Sequence, residues 1–377
     1  MEQEIIIKQI TANEDYLAFV KFPFKLYSNN AYWVPPIINE ELETIDHKTN
    51  PVYQNSSARF FLAYKKGEIV GRIAAIVNWI EIKEIKKNKV RFGWFDVIDD
   101  LAVSKLLLEQ VVCFGKEHKL DHVEGPVGFS NLDKAGLLIK GFEEFSTMIT
   151  IYNYPYYATH LKKLGFSLLA QWFEYEIKIA NFEDSPEKVK RFSSVIMERF
   201  NLKVLDFKNK KEIIPYIDQM FNLLDETYNK LQTFVPIQNY QIEHYKKRYF
   251  KYVHKDFVKC VVDKNNRLIA FTITMPSFTR ALQKINGRLT LFNIYNLLKA
   301  MWFNNRASFY LIGVHPDYQN KGITAIIFNE IQKTFNKHNI TIVETNPELK
   351  ENTAIQKLWK NYENRQHKRR ATFTKNI

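Results

Sequence analysis

Apolar and polar positions along the chain fall into two series that follow the same order. In the first, Thr11–Leu26 has helical spacing, and Ala58–Tyr64 and Ile69–Val77 are apolar, aromatic and β-branched runs around a polar Lys65–Glu68 turn, which reads as a hairpin. Arg91–Asp96 is a third strand, and Val103–His118 is a helix with Val103, Leu107, Val111 and Phe114 on one face. A short strand near Val123 follows, then a helix over Pro155–Leu164 stopped by Gly165, and a strand at Phe173–Ile179. In the second series Glu212–Tyr228 and Tyr240–Tyr252 are helical, and Phe257–Val262 and Leu268–Thr274 form a hairpin. Ala307–Val314 is a strand, and Gly322–Lys337 a helix with Ile323, Ile327, Ile331 and Phe335 in line. Ile340–Glu344, Thr353–Tyr362 and Arg369–Thr374 read as strand, helix and strand. The polar stretch Asn181–Pro186 divides the series, so the expectation is one mixed α/β unit used twice, over residues 1–182 and 183–377.

Composition narrows the partners. Of 377 residues, 55 are aromatic and 46% hydrophobic, enough for two packed cores. Only 12 are glycine, which disfavours glycine-rich repeats. The formal charge is +13, but 41 of the 54 basic residues are lysine and they are spread along the chain. Base-edge and phosphate readers favour the planar fork of arginine, so no nucleic-acid partner is expected. A solvated basic surface, an anionic membrane surface or a polyphosphate ligand fits better. Cys113 and Cys260 suggest no disulfide framework, the start resembles no signal peptide, and no apolar run is long enough to span a bilayer. A cytoplasmic protein follows, with the inner membrane face open to it. His118 and His122 have the spacing of metal ligands only if their helix continues, and no third ligand accompanies them, so no metal is expected.

The candidate chemistry lies in Tyr310–Ala325, where a buried strand runs into a polar turn that opens a helix. Such a turn aims several backbone N–H groups, and the positive end of the helix dipole, at one spot suited to a pyrophosphate. Neither G-x-x-x-x-G-K-[ST] nor G-x-G-x-x-G occurs, which removes the usual support for nucleotide hydrolysis and dinucleotide binding.

Val314-His-Pro316 followed by Gln319-Asn-Lys-Gly322-Ile-Thr324 resembles the acyl-CoA loop of the GNAT N-acyltransferase superfamily, Gln/Arg-x-x-Gly-x-Gly/Ala, with threonine in the last position and Ala325 next. Asn352-x-x-Ile355-x-x-Leu358-Trp359 looks like that family's second helix motif, with Trp359 where a tyrosine is usual and Tyr362 one turn on. The first half carries Asn153-Tyr-Pro-Tyr-Tyr157 and Gly165-Phe166, similar to another family element, but Asp96, Asp99 and Asp100 stand where phosphates would sit. Tyr32-Trp-Val-Pro-Pro36, Gly71-Arg-Ile-Ala-Ala75, Gly125-Pro126, Asp133-x-x-Gly136 and Glu344-x-x-x-Glu348-x-x-Glu351-Asn352 resemble a family of bacterial double-GNAT proteins, some relatives of which act as ceramide synthases. The resemblance implies two tandem GNAT-like domains, the first a degenerate copy that shapes the acceptor pocket. It implies acyl-CoA or acetyl-CoA as co-substrate, held by Ile312, Gly313, Val314, Gln319, Asn320, Lys321, Gly322, Ile323, Thr324, Ala325 and Asn352.

Direct transfer of an acyl group to an amine needs a backbone donor for the thioester oxygen, for which Gly313 and Val314 are placed. It also needs a base, because a free amine is mostly protonated at pH 7. Glu344 is the first candidate base and Glu348 the second; Tyr362 is the candidate acid for the thiolate. His315 reads as a loop histidine, and no Ser–His–Asp or Cys–His arrangement is suggested.

Leu289–Phe303, with 11 apolar residues of 15 and Arg280, Lys284, Arg288 and Arg306 around it, is either a core helix or one lying in a lipid interface. A hydrophobic amine such as a sphingoid base is therefore the leading acceptor. A small polar amine or peptide, aminoacyl transfer from tRNA, and a non-catalytic acyl-CoA-binding protein are the alternatives.

Overall fold

The computed structural model describes residues 4–130, 132–184, 187–228, 234–352, 356 and 359–377. The chain folds as mixed α/β structure in two compact units. One contains the residues up to Trp172 with Thr279–Asn296 and Lys368–Ile377; the other contains Phe173–Phe278 and Leu297–His367. The units are thus discontinuous, where the sequence suggests a single cut at residue 182.

The first unit runs β1 Ile5–Gln9, α1 Asn13–Leu26, α2 Ile38–Ile45, β2 Ser56–Lys65, β3 Glu68–Asn78, α3 Trp79–Lys83, β4 Lys89–Val97, α4 Leu101–Glu117, β5 His122–Gly125, β6 Leu137–Lys140 and α5 Tyr156–Lys163. Its sheet follows the order β1-β2-β3-β4-β5, antiparallel except for β4 and β5. The β2–β3 hairpin turns on Lys66 and Gly67, both at positive φ (54° and 77°), the backbone that matches strand twist in a two-residue turn. The expected face of α4 is buried: Val103, Leu107 and Val111 have no exposed surface. Each such side chain contributes roughly 1.5–3 kcal/mol by leaving water. Gly71 lets α4 come close, because a Cβ there would lie 2.8 Å from Leu107 Cδ1.

The second unit begins within β7, Ser167–Lys178, and continues with α6 Glu187–Phe200, β8 Lys203–Leu205, α7 Ile214–Tyr228, α8 Asn239–Tyr249, β9 Val258–Val262 and β10 Leu268–Pro276. Then α9, Thr279–Ile285, and the first half of α10, Leu291–Trp302, count with the first unit. The second resumes with β11 Arg306–Val314, α11 Ile323–Lys337, β12 Ile342–Glu344 and β13 Glu348–Leu349. Its sheet order is β7-β12-β11-β10-β9-β8. The expected stripe of α11 is buried, with Ile323, Ile327, Ile331 and Phe335 each at most 1% exposed.

Two strands pair with partners other than those of the expected order. Phe173–Ile179 reads as the end of the first series, yet Glu176–Lys178 pair with β12 in the second unit. The last strand, β14 Asn364–Asn376, reads as the end of the second series, yet its Phe373–Asn376 pair with β5 in the first. A period of two identifies a strand but carries no information about its partner. The helix expected over Thr353–Tyr362 falls largely outside the described residues.

Candidate active site

β11 is the strand that positions the loop. It pairs antiparallel with β10 along most of its length, but parallel with β12 only through Arg306–Ser308 against Ile342–Glu344. Beyond that point the two parallel strands part, and a register shift beside Tyr310 kinks β11. The backbone of the parted stretch is met by side chains: Asn346 Nδ2 donates to the Tyr310 carbonyl (2.6 Å), and the Tyr228 hydroxyl donates to that of Ile312 (3.1 Å). Gly313 is buried, and a Cβ on it would lie 2.8 Å from the Phe271 ring.

The loop after β11 is built by short turns. His315 is buried; its Nδ1 accepts from the Asp317 N–H, capping the Pro316–Tyr318 turn, and its Nε2 meets the Arg267 guanidinium. Gln319 donates to the Val314 carbonyl. Asn320 and Gly322 take left-handed φ values of 61° and 80°. Gly322 is the N-cap of α11 and supplies no side-chain cap. Among the described residues, the N–H groups of Asn320, Gly322, Ile323 and Thr324 meet no acceptor in the chain, while that of Ala325 bonds to the Gly322 carbonyl. Glycine at 322 has two causes, the left-handed backbone and α6, since a Cβ would lie 2.6 Å from Ile196 Cδ1. Lys321 is exposed, its ammonium over the rings of Phe200 and Tyr318. The loop residues Ile312–Ala325 are thus assembled at one helix end.

The carboxylates expected near this strand have different surroundings. Glu344 is buried at the end of β12 and binds Arg306 (3.1 Å), which also binds Glu176 (2.5 Å). Burial pushes the Glu176 carboxyl up, but Arg365 and Arg306 together hold it down at about 2. Glu348, half-buried on β13, receives the Trp359 indole N–H at 2.9 and 3.1 Å on its two oxygens. Burial raises its carboxyl to about 8, against the smaller pull of that indole. The Tyr228 hydroxyl lies close enough to Glu348 that burial, with this charge, pushes it up to about 12. Glu348 with Trp359, and Tyr228 with the Ile312 carbonyl, are two bonded pairs beside the parted strands. The Tyr362 hydroxyl is buried without a partner among the described residues, and burial raises it to about 12. Asn352 is exposed, and Ile355 and Leu358 of its motif lie outside the described residues.

Tyr228 and Asn346 are absent from the sequence reading. A tyrosine at the end of an amphipathic helix has no local mark, and only the fold brings it to β11. Trp359 carries a signal in hindsight: an indole in place of a phenol keeps a donor but loses the acid.

Two further constellations take structural roles. His118 ends α4 and packs on Trp79 and Phe114, Lys119 breaks the helix at φ 58°, and His122 meets Asp121, so the two imidazoles have separate partners. In the second unit His254, Asp256 and His338 have potential ligand atoms within 4.8 Å of one another. Asp256 is already held by Lys255, Lys337 and His338 (2.6–2.9 Å), and these keep its carboxyl well below the usual range despite burial. Two ammonium groups on the one carboxylate are poor company for a cation. The first unit contains a Ser104–His160–Asp99 chain (2.8 and 3.1 Å), which the sequence does not suggest; Ser104 is fully buried, out of reach of any substrate.

No protein-family model matches the chain. Among curated proteins it is 24% identical over 382 residues to Protein YghO of Escherichia coli (strain K12), covering 99% of this chain and 95% of that one. It is 22% identical over 297 residues to a bacterial ceramide synthase of Caulobacter vibrioides, covering 74% and 72%. Among solved structures, a tandem GNAT protein from the clavulanic acid biosynthesis pathway matches with TM-score 0.57 at 10% identity, covering 99% of this chain and 98% of that one. A GCN5-related N-acetyltransferase from Sphaerobacter thermophilus matches with TM-score 0.53 at 8% identity, covering 99% and 95%. The fold is the tandem GNAT fold.

Proposed function

We propose that the protein is an acyl-CoA-dependent N-acyltransferase, with its reaction centre at the parted strands of the second unit and a hydrophobic amine as acceptor. The observation that carries this is the α11 N-terminus: a left-handed Gly322 without a side-chain cap, with four backbone N–H groups free of protein acceptors, at the end of a strand that parts from its parallel neighbour. Such an end suits the pyrophosphate of CoA. Lys321 adds a cation, and the Thr324 hydroxyl a donor where the usual loop has a small residue. The tandem GNAT fold supports the same reading, and the likeness to a ceramide synthase supports a sphingoid-type amine.

Glu348 is the better base of the two candidates. Glu344 is tied to Arg306, whereas Glu348 has no cation on it among the described contacts and its carboxyl sits at about 8. It accepts a proton from the incoming ammonium. The amine nitrogen then attacks the thioester carbon, the C–N bond forms and the C–S bond breaks. The first proton passes from Glu348 to solvent; Glu348 then takes the second proton from the nitrogen as the amide forms and gives it to the departing thiolate, whose ordinary value of roughly 8.5 matches it. The Tyr362 phenol, raised to about 12, is a poorer donor for that thiolate. Backbone N–H groups of Ile312–Val314 are the candidate donors for the thioester oxygen.

The test is release of free CoA thiol from palmitoyl-CoA and acetyl-CoA, in detergent, with sphinganine and with a panel of small amines. Release with the long-chain thioester plus sphinganine supports the reading. Release with acetyl-CoA and a polar amine replaces the acceptor. No release, with no acyl-CoA binding by calorimetry, leaves a non-catalytic protein.

A further inference from the structure

Helix α10 leaves most of its large apolar side chains exposed. Its protected side is Asn293, Asn296, Leu297, Ala300 and Met301, while its outer side carries Leu291 (89% exposed), Phe292 (91%), Tyr295 (65%), Leu298 and Trp302 (56%), with Phe303 (78%) just beyond. A helix that completes a globular core turns its apolar stripe inward. Here Leu297 faces the protein with the two asparagines, Ala300 and Met301, while Leu291, Phe292, Tyr295, Leu298 and Trp302 face solvent. An isolated exposed apolar residue needs no explanation, but a contiguous set on one helix marks an interaction surface.

Charge chooses between the occupants. Lys299 sits within the outer face, and Arg288 lies one turn before the helix. At the α10 N-terminal end, a cavity of about 780 Å³ is lined by Lys21, Lys25 and Arg288 against the apolar walls of Phe24, Ile38 and Ile285. Lys25 also pairs with Glu68, while Lys21 and Arg288 are exposed. A second copy of the chain would bring the same cations against themselves. An anionic bilayer satisfies both halves: the acyl region takes Leu291, Phe292 and Leu298, the amphipathic Tyr295 and Trp302 rings suit the headgroup level, and the basic cavity takes a phosphate headgroup. Lys299 can run its alkyl stem along the apolar face and keep its ammonium at the interface.

We infer that α10 and the basic cavity at its start form a docking surface for the face of an anionic membrane. The inference deepens the proposed lipid acceptor, since docking would present a membrane-dissolved amine, but vesicle binding is read without acyl-CoA or amine. A failure of docking thus leaves acyl transfer to soluble amines standing, and a failure of acyl transfer leaves docking standing.

The experiment is co-sedimentation of the full chain with phosphatidylcholine vesicles containing or lacking phosphatidylglycerol, at low and high salt. Binding is expected only with phosphatidylglycerol and is expected to weaken with salt. The double variant Phe292→Asp/Tyr295→Asp should lose at least tenfold in partitioning, and Lys21→Glu/Arg288→Glu about tenfold. Thermal melts report folding; these positions are exposed, so both variants should melt with wild type. Wild-type protein that ignores anionic vesicles, or a Phe292→Asp/Tyr295→Asp variant that binds as wild type, overturns the inference. So does a surface that instead holds a dimer, read as wild-type self-association in sedimentation velocity that the same variant abolishes while vesicle binding stays absent.

Discussion

The two units place the same elements around two helix N-termini and finish them differently. In the second, α11 starts at Gly322 with no side chain over its free N–H groups, and β11 parts from β12 after three parallel pairs. In the first, β4 and β5 also share parallel pairs over Lys89–Arg91 and His122–Glu124, and there the stretch beyond them is filled by the chain itself. Val127 donates its N–H to the Phe92 carbonyl (2.8 Å), and Gly93 is compact enough that a Cβ would lie 2.6 Å from the Val127 carbonyl oxygen. The helix that follows, α4, starts at Asp100, whose carboxylate accepts from the Ala102 N–H (2.9 Å) and pairs with Lys65 (2.8 Å). One helix end is closed by its own anion and the other has no side-chain cap. On the proposed reading, one fold carries a ligand site in one unit and none in the other, and the difference is a capping carboxylate and a segment laid into the gap.

If that contrast carries the chemistry, the largest effect belongs to Glu348. Glu348→Gln should lower kcat/KM for palmitoyl-CoA plus the acceptor by ~10²–10⁴-fold while leaving acyl-CoA binding near wild type, because the base acts only in the transition state. The wild-type rate should rise with pH around a midpoint of about 8, and the variant should lose that inflection. Stability supplies a second readout. The folded form holds this proton longer than the unfolded chain, so Glu348 lowers stability as pH climbs from the ordinary carboxyl range through about 8. The variant should therefore lose less Tm than wild type between pH 5 and pH 9. A variant with wild-type turnover would move the base elsewhere.

Next in size is the helix end itself. Gly322→Asp would place a carboxylate at the N-cap of α11, as Asp100 stands at that of α4. Calorimetry should show acyl-CoA affinity falling by ten- to a hundredfold, roughly 1.4–2.8 kcal/mol. The reciprocal change, Asp100→Ala, should cost about 1 kcal/mol of stability in urea melts, the worth of a cap, and leave acyl-CoA affinity unaltered. An Asp100→Ala variant with changed affinity would mean that the first unit takes part in binding.

How much of this was legible in the sequence depended on how local each signal is. The Val103–Phe114 and Ile323–Phe335 stripes and the β2–β3 turn were legible because spacing and turn chemistry act within a few residues. The loop from Val314 to Thr324 was legible as a glycine-bearing turn between a buried strand and a helix. The pairing of β7 and β14 was not, because partners are decided across the whole chain. Nor was the ranking of Glu344 and Glu348. They are four residues apart with the same chemistry, and what separates them is Arg306 on one and Trp359 on the other. Leu289–Phe303 reads equally as a core helix or an interfacial one, and only burial shows that Leu291, Phe292 and Tyr295 lie outside while Leu297 lies inside.

The finest test concerns Trp359, because it asks how the second unit holds the proposed base. The indole N–H donates to both Glu348 oxygens and so favours the ionised form, opposing burial. Trp359→Phe removes that donor but keeps a ring for Phe309 and Phe328 to pack on. The Glu348 carboxyl should then rise further, and the midpoint of the pH–rate profile should move alkaline by roughly one to two units, since a unit corresponds to about 1.4 kcal/mol and a hydrogen bond to a charged group is worth roughly 1.5–3 kcal/mol. As the pH passes the shifted midpoint, the variant should recover towards the wild-type rate. A merely structural role for Trp359 would lower the rate equally at every pH. An acid role for the indole position would lower it most at high pH, where the thiolate most needs a proton. The alkaline shift with recovery at high pH is the pattern that ties Trp359 to Glu348.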